Sequence, residues 1–286
     1  MSIDLNLEGE TALARPIWLV SLLKKVFPLR FAVARATRLP ILRQLIDRWL
    51  FDEDEIIFLP KDQAVQALRV NEPIDQPREI VLPSQVVEHF VEEASVHWIM
   101  DVCLCRAAEG CQDYPVELGC LFLGRAALDI NPKLGRRVTK KEALAHVERC
   151  RQAGLVHIVG RHKLDTVWLG VGPGRQLLTV CHCCPCCCLL GILPSLTNRI
   201  SRKIRRMPGV TVKVNDRCVG CGACAEDVCF VAAIQMEGGR AVISDACRGC
   251  GRCVEVCPQE AIELSVDDVR FIDQAIAHID TLVDLA

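Results

Sequence analysis

Apolar and polar residues near the start of the chain follow a helical pattern that is broken at defined points. Residues 15–50 are apolar with Arg and Lys at regular intervals, and Pro28 and Pro40 divide them into three short predicted helices, because proline interrupts helical hydrogen bonding. Three roles stay open for this stretch: an interfacial helix on a membrane surface, a docking surface for a partner, or a helical layer that packs on the protein.

The pattern up to Trp98 predicts three further elements and one linker. A strand is predicted at 56–59 and a helix at 61–70, whereas the prolines within 71–83 indicate an extended linker. Ser84 is predicted to cap a helix that has Glu88 in its first turns and one apolar face. That face comprises Val87, Phe90, Val91, Ala94 and Trp98.

The clearest helix signal lies in the middle of the chain. Thr139 and Glu142 have the spacing of a capping box, and Gly154 is placed to end the helix. Two segments with alternating apolar residues follow and predict the strands of a hairpin, at 155–159 and 166–171. A helix followed by a hairpin also resembles the end of a winged-helix domain. It would admit a DNA-binding cluster sensor, but no concentrated basic recognition helix supports that function.

Composition and charge exclude several classes of function. The chain has 286 residues, a formal net charge of −2 and 19 cysteines. The near-neutral charge gives no global attraction to nucleic acid, and no Rossmann fingerprint or P-loop indicates a nucleotide cofactor. The N-terminus is polar and acidic, unlike a secretory signal, and the cysteines cluster at ligand spacing. A cytoplasmic location is therefore predicted, with membrane association through residues 15–50 as an open possibility.

The most apolar segment of the chain, 177–196, contains no Asp, Glu, Lys or Arg. A hydropathy window would mark it as a membrane span. Its apolar character comes largely from six cysteines, and its prolines break a helix. We therefore predict a ligand loop here rather than a span.

Two cysteine runs between Cys218 and Pro258 repeat each other. The first reads CVGCGACAEDVCF and the second CRGCGRCVEVCP, and in each run three cysteines two residues apart are followed by a fourth. Thiolates spaced in this way can hold three irons of a [4Fe–4S] cluster, with the fourth iron bound by a distant cysteine. A pair of zinc sites is the alternative, because C-x2-C motifs also bind zinc. The repeat resembles a bacterial two-cluster ferredoxin.

In that family the fourth cysteine of each run crosses to the cluster of the other run. The resemblance therefore implies two crossed ligand sets. One set is Cys218, Cys221, Cys224 and Cys257; the other is Cys247, Cys250, Cys253 and Cys229. The first run departs from the family pattern, since four residues rather than three separate Cys224 from Cys229 and Phe230 stands where proline is usual.

Ten cysteines upstream form two further groups of candidate ligands. They are Cys103, Cys105, Cys111 and Cys120, and then Cys181, Cys183, Cys184, Cys186, Cys187 and Cys188. Neighbouring side chains of an extended segment point to opposite faces, so the second group cannot easily serve one cluster. One or two additional iron–sulfur clusters, one cluster plus a redox-active dithiol, or a zinc-stapled lobe are the alternatives. Cys150, His157 and His162 are interpreted as ordinary core, strand and turn residues.

These observations predict an α+β fold in which a helical and mixed cysteine-rich lobe precedes a ferredoxin-like dicluster domain and a C-terminal helix. The apolar side of that helix contains Val269, Ile272, Ile276, Ile279 and Val283. The predicted segments are an N-terminal region with its linker, the cysteine-rich lobe, a basic connector, the ferredoxin domain and the final helix. Their bounds are 1–83, 84–196, 197–210, 211–265 and 266–286.

Electron transfer is the first functional hypothesis, because iron–sulfur clusters exchange single electrons. The CxCR and CxCCxCCC segments ahead of a dicluster domain resemble those of uncharacterised ferredoxin-type proteins. The resemblance implies an iron–sulfur protein whose partners are redox proteins, and it brings no assigned reaction. An oxidoreductase role in anaerobic metabolism is the associated expectation. No nucleic-acid partner is expected.

A cluster-dependent disulfide reductase is the second hypothesis. The CHC and CPC motifs within residues 181–186 are similar to motifs in the catalytic subunit of ferredoxin–thioredoxin reductase, in which a cluster lies beside an active-site disulfide and a histidine. The resemblance makes Cys183, Cys186 and His182 the candidate catalytic residues. In this hypothesis the ferredoxin domain supplies the electrons.

Overall fold

The computed structural model describes residues 15–69, 82–266 and 270–286. Nearly all of the predicted linker at 71–83 and Val269 of the predicted C-terminal helix lie outside these residues. The described part combines helices with mostly antiparallel strands, which confirms the predicted mixed α+β class.

Eleven α-helices and five short helical turns lie in the described residues. The α-helices are α1 (Ile17–Val26), α2 (Arg30–Ala36), α3 (Pro40–Ile46), α4 (Asp62–Arg69), α5 (Ser84–Glu93), α6 (Leu104–Glu109), α7 (Lys140–Gln152), α8 (Lys163–Leu169), α9 (Asn198–Ser201), α10 (Arg252–Val256) and α11 (Phe271–Asp280). Short 3-10 turns lie at Phe27–Leu29, Arg125–Asp129, Gly174–Gln176 and Leu189–Ser195, and a π-helical turn lies at Asp47–Phe51.

The strands are short, and most of them precede the two repeated cysteine runs. They are β1 (Glu55–Phe58), β2 (His97–Met100), β3 (Leu121–Leu123), β4 (Gly135–Val138), β5 (Val156–Arg161), β6 (Leu178–Cys183), β7 (Ile204–Arg206), β8 (Val210–Val214), β9 (Ile234–Glu237), β10 (Arg240–Ile243) and β11 (Ile262–Val266).

A seven-stranded sheet in the order β4-β2-β3-β6-β5-β1-β7 forms the centre of the molecule. Its neighbouring strands are antiparallel except for β1 and β7, which are parallel. The sheet therefore contains strands from the predicted segments 1–83, 84–196 and 197–210. Residues of the predicted basic connector form α9 and β7, so they lie at an edge of this sheet.

Both faces of the sheet are covered because its central strands carry apolar side chains in both directions. On one face, α4, α5, α7 and α11 pack in a core that contains Ile57 and Val180. On the other face, α2 and the turn at Leu189–Ser195 pack in a core that contains Phe58 and Ile158. Successive side chains of β1 and β5 thus point alternately into two cores on opposite sides of the sheet.

The C-terminal cysteine runs lie in a region with two small antiparallel sheets, in which β8 pairs with β11 and β9 pairs with β10. This region packs directly on the rest of the protein. The amide of Lys61 donates to the carbonyl of Cys250 at 3.0 Å, and Lys61 Nζ forms an ion pair with Glu255 at 2.5 Å. Helix α4 also packs against β11.

Three predictions for individual elements are confirmed. Thr139 caps α7 in a complete capping box with Glu142. Pro28 lies in the 3-10 turn between α1 and α2, and Pro40 begins α3, so the N-terminal stretch is divided into short helices. Residues 177–196 form β6 and a 3-10 turn, and no helix in the described parts of the chain is long and apolar enough to cross a membrane.

The predicted hairpin is wrong in its second strand. Residues 163–169 form α8, which ends at Gly170 in a left-handed conformation. Within this helix the side chain of Asp165 accepts hydrogen bonds from Trp168 Nε1 at 2.9 Å and from Thr179 Oγ1 at 2.9 Å. One bond joins residues three apart on the helix and the other ties the helix to β6. The strand that pairs with β5 on this side is β6 rather than residues 166–171.

Trp98 was also assigned to the wrong element by its helical spacing. The predicted cap at Ser84 is wrong as well: Pro83 is the cap residue, and the amide of Ser84 donates to the Asp62 carboxylate at 3.0 Å. Helix α5 ends at Glu93, and Ala94 adopts an extended conformation with ψ of 135°. Trp98 lies on β2, where it pairs with Phe122 and Arg137 of the two adjacent strands. When a buried strand follows a helix after a short break, its apolar residues continue the apolar pattern of the helix. Spacing alone therefore does not show where the helix ends and the strand begins.

Candidate metal centres

Two cavities in the C-terminal region are each lined by four cysteines. The first is lined by Cys218, Cys221, Cys224 and Cys257. The second is lined by Cys229, Cys247, Cys250 and Cys253. Each cavity combines three cysteines of one run with the fourth of the other run. Four thiols around an otherwise apolar space are a donor set that fits a [4Fe–4S] cluster.

Backbone amides point at the sulfurs in equivalent places of the two runs. Ala233 N donates to Cys229 Sγ and Ala261 N donates to Cys257 Sγ, both at 3.2 Å. The preceding residue is left-handed in each case, with φ of 48° at Ala232 and 47° at Glu260. This local conformation turns the amide toward the sulfur, so the repeat extends to the backbone around the fourth cysteine.

The extra residue of the first run is accommodated in the loop that precedes Cys229. Asp227 has a positive φ of 52°, and no corresponding residue of the second run is left-handed before its fourth cysteine. Cys229 nevertheless lines the second cavity with Cys247, Cys250 and Cys253. The insertion therefore changes the path of the loop and leaves the side chain in the crossed set.

The protonation of these thiols depends on their burial. Burial raises the pKa of Cys250 to about 12 and also raises the pKa values of Cys247 and Cys253. In contrast, hydrogen bonds from the amides of Ala241 and Gly220 lower the pKa of the half-buried Cys218 thiol. These three thiols thus hold their protons in the absence of a cation, and metal binding must displace them.

The ten upstream cysteines separate into two groups in space. Six of them line one region: Cys103, Cys105, Cys120, Cys181, Cys183 and Cys188. Within this six-thiol group the sulfurs of Cys183 and Cys188 are 3.1 Å apart and those of Cys120 and Cys181 are 3.7 Å apart. A hydrogen bond from Cys105 lowers the pKa of Cys103 to about 6. Six thiols exceed the four that one cluster needs.

The other four upstream cysteines form a separate tetrathiol group. It consists of Cys111, Cys184, Cys186 and Cys187, whose sulfurs all lie within 4.8 Å of one another. The split follows the chain geometry: Cys181 and Cys183 lie on the same face of β6, and the turn after the strand carries Cys184, Cys186 and Cys187 to another place.

The three candidate catalytic residues are not brought together. Cys183 belongs to the six-thiol group and Cys186 to the tetrathiol group, while His182 points away from Cys183 on the strand. His182 Nδ1 lies 2.9 Å from His157 Nδ1, and its ring makes an edge contact with that of His146. A histidine that activates either thiol is therefore not part of this arrangement.

Arg106 links the end of β6 to the loop that precedes β3, beside the six-thiol group. Its guanidinium is fully buried and donates to the carbonyls of His182 and Leu118. Burial lowers the pKa of this side chain, but the charges of nearby thiolates, Cys103 first, raise it overall. A buried cation at this position offsets the negative charge that several thiolates concentrate.

Sequence reasoning missed a buried group made of His146, Cys150, His157 and His182. Their rings and thiol lie in contact, and Cys150 Sγ is 3.6 Å from His146 Nε2. Burial lowers the pKa of His157 to about 4, so the ring is neutral. His146 and Cys150 have the i, i+4 spacing of one helix face, which is a visible signal, but the pairing of His157 with His182 depends on strand register.

Residues 225–267 match the family model described as the LdpA Fe-S cluster-binding domain. The match covers five of the cysteines that line the two cavities, from Cys229 to Cys257. The chain is an iron–sulfur protein. No curated protein and no solved structure matches it.

Proposed function

We propose that this iron–sulfur protein transfers single electrons between redox partner proteins through two [4Fe–4S] clusters in the C-terminal cavities and one more in the six-thiol group. The observation that carries the proposal is the crossed arrangement of eight cysteines around two adjacent cavities. When bound, such clusters accept and release one electron at a time. The protein residues provide the ligands, the amide donors and an apolar enclosure.

The first cavity is suited to contact a partner. Cys221 is exposed, and Val219 beside it has 65% of its surface exposed. Met236, which also lines this cavity, is exposed as well. An exposed apolar rim around a redox site is the kind of small surface on which transient electron-transfer complexes form.

The second cavity lies toward the interior, next to the six-thiol group. Cys229, Cys247 and Cys250 pack against the same apolar core that contains Cys183 and Cys188. The ring of Phe230 contacts that of Phe58 edge-on at a centroid distance of 5.6 Å. This continuous core excludes water between the two thiol groups, which supports a third cluster there with four of the six thiols as ligands.

Of the three roles left open for residues 15–50, we propose that the N-terminal helices bind an anionic lipid surface. Large apolar side chains of α1 to α3 and the following turn remain exposed: Trp18, Leu22, Leu29, Leu39, Ile41, Leu45 and Trp49. Exposed basic residues lie among them: Lys25, Arg35, Arg38 and Arg48. Apolar and basic side chains on one short helical layer complement a bilayer interface with negative headgroups.

Iron and sulfide analysis of the anaerobically purified protein tests the cluster assignment. We expect about twelve irons with equal sulfide, which corresponds to three clusters of four. The double variant Cys218→Ser/Cys257→Ser should lose the iron of one cluster, like either single variant, because both residues belong to one set. The matched double variant Cys218→Ser/Cys229→Ser removes one ligand from each set and should lose the iron of two.

The electron-transfer proposal has its own readout. Reduced methyl viologen should bleach the visible absorption of the protein, and oxidation should restore it. A protein that holds its full iron but cannot be reduced and reoxidised would exclude electron transfer. If instead the two double variants lost equal iron, the crossed ligand sets would be wrong.

A further inference from the structure

The tetrathiol group differs in geometry from the eight cysteines of the C-terminal cavities. Its members come from two places in the chain, Cys111 just after α6 and the other three from the turn after β6. The sulfur of Cys186 lies 3.7 Å from that of Cys111 and 3.5 Å from that of Cys187. All four sulfurs, Cys184 included, lie within 4.8 Å of one another.

These separations match a single metal ion. A tetrahedral ion with metal–sulfur bonds of about 2.3 Å places its four sulfurs about 3.8 Å apart. In a [4Fe–4S] cluster each cysteine binds a different corner of the cube, so iron and sulfide atoms hold the ligand sulfurs farther apart. Among the described residues, none of the eight cysteines that line the C-terminal cavities belongs to a group with such short mutual distances.

The surroundings are those of a closed site. Cys184 and Cys187 are buried, and Leu118, Leu155 and Tyr114 pack around the group. Cys186 alone is exposed. Four protein ligands with no open position and an apolar wall are typical of a structural site rather than a catalytic one.

We propose that Cys111, Cys184, Cys186 and Cys187 bind one divalent ion as a tetrathiolate, with Zn²⁺ as the ion that best fits this donor set. Binding replaces four S–H bonds with four metal–sulfur bonds and releases the protons to solvent, with no change of oxidation state. The assignment stands apart from the electron-transfer proposal, because it needs no iron–sulfur cluster.

Such an ion would fasten the two upstream cysteine segments to each other beside the C-terminal region. The residues after Cys111 lead to Tyr114, whose hydroxyl accepts a hydrogen bond from Arg252 Nη1 at 3.1 Å. Arg252 also donates to the carbonyl of Gly154 at 2.9 Å and precedes Cys253 of the second cavity. The metal site would therefore help to hold Tyr114 and Arg252 in place beside the second cavity.

Two exposed cysteines provide a matched pair for the test, since Cys186 and Cys221 are both exposed and belong to different sites. Metal analysis of the full-length protein should find about one zinc per chain in addition to the iron. Cys186→Ser should remove most of the zinc and leave iron and sulfide unchanged. Cys221→Ser should lower iron and sulfide together and leave the zinc unchanged.

A second measurement covers the case in which a variant folds poorly. Protein produced with Co²⁺ in place of zinc should show the intense visible absorption of tetrahedral cobalt–thiolate coordination, in addition to the cluster bands. A loss of sulfide in Cys186→Ser would overturn the proposal, because it would place a cluster at these four residues. Equal metal content in Cys186→Ser and the unmodified protein, without a cobalt spectrum, would also overturn it.

Discussion

Gly222 and Gly251 occupy the same place in the two ligand runs but differ in what surrounds them. Both are left-handed, with φ of 80° and 82°. A Cβ on Gly251 would lie 2.6 Å from the Cβ of Ala64 in α4, whereas a Cβ on Gly222 would meet nothing within 4 Å. The two positions therefore separate the cost of the backbone conformation from the cost of a steric clash.

Alanine at each position should destabilise the protein by different amounts. Gly222→Ala should cost about 1 kcal/mol for the left-handed conformation. Gly251→Ala should cost about 1–3 kcal/mol more, because the added methyl group overpacks the contact with Ala64. Anaerobic thermal unfolding measures the difference. Equal shifts in the two variants would contradict the close packing of α4 on the second run.

A buried histidine between two carboxylates makes the stability of the protein depend on pH. His162 Nδ1 lies 3.0 Å from the Asp165 carboxylate, and its Nε2 lies 3.9 Å from that of Asp54. Burial lowers the pKa of His162, but the two carboxylates outweigh it and raise the pKa to about 9. The folded state thus holds the proton more tightly than the unfolded chain, whose histidine has a pKa near 6.5.

The contribution of His162 should be complete below about pH 6.5 and be lost as the pH rises toward about 9. The thermal midpoint of the unmodified protein should therefore fall over this range. The variant His162→Gln should have a lower midpoint at pH 6.5 and a smaller fall, so that the two proteins approach each other near pH 9. His89→Gln, which changes a half-buried histidine of α5, is the control, and an unchanged slope in His162→Gln would contradict the assignment.

Individual ligands could be predicted from the sequence only where spacing and repetition are both present. The two runs that begin at Cys218 and Cys247 can be identified as ligand runs because each repeats the other. The crossed sets then follow from the family resemblance. The division of CHCCPCCC between the two thiol groups could not be predicted, because it depends on where β6 ends and on the turn that brings Cys188 back to Cys183. The contact of Cys111 with Cys186 joins residues far apart in the sequence and depends on the sheet.

At the scale of elements, local signals predicted those elements that are stabilised locally. Helix α7 carries its own capping box, and the short helices of residues 15–50 follow from two prolines. The sequence predicts a strand in place of helix α8. Its apolar residues, Val167 to Leu169, are too few to distinguish the helical period of about 3.6 residues from the strand period of two. What decides between them is the bonding of Asp165 to neighbouring side chains.

The N-terminal helices provide the prediction that belongs to this scale. The protein should sediment with vesicles that contain phosphatidylserine and bind neutral vesicles weakly, and added salt should reduce the binding. Trp18→Glu and Ile41→Glu should each reduce it several-fold, because these exposed side chains lie on the proposed lipid face.

Leu128→Glu is the matched control for these two substitutions. Leu128 is also an exposed apolar residue, but it belongs to the 3-10 turn at Arg125–Asp129 outside the N-terminal helices. Its substitution should leave vesicle binding unchanged. The lipid proposal would be wrong if all three variants bound anionic vesicles as well as the unmodified protein, or if the unmodified protein did not bind them. A protein partner would then be the better candidate for this face.

At the scale of the whole molecule, the parallel pairing of β7 with β1 has a mechanical consequence. Met207, the residue after β7, is buried, and its amide donates to the carbonyl of Phe58 at 3.1 Å. Strand β8 begins soon afterwards, at Val210. The C-terminal cavities are thus joined to the central sheet by a short bonded segment rather than by a flexible linker. In the proposed function, electron transfer would therefore need no domain motion, and its rate would be insensitive to solvent viscosity. A redox partner would have to bind at the exposed cavity itself.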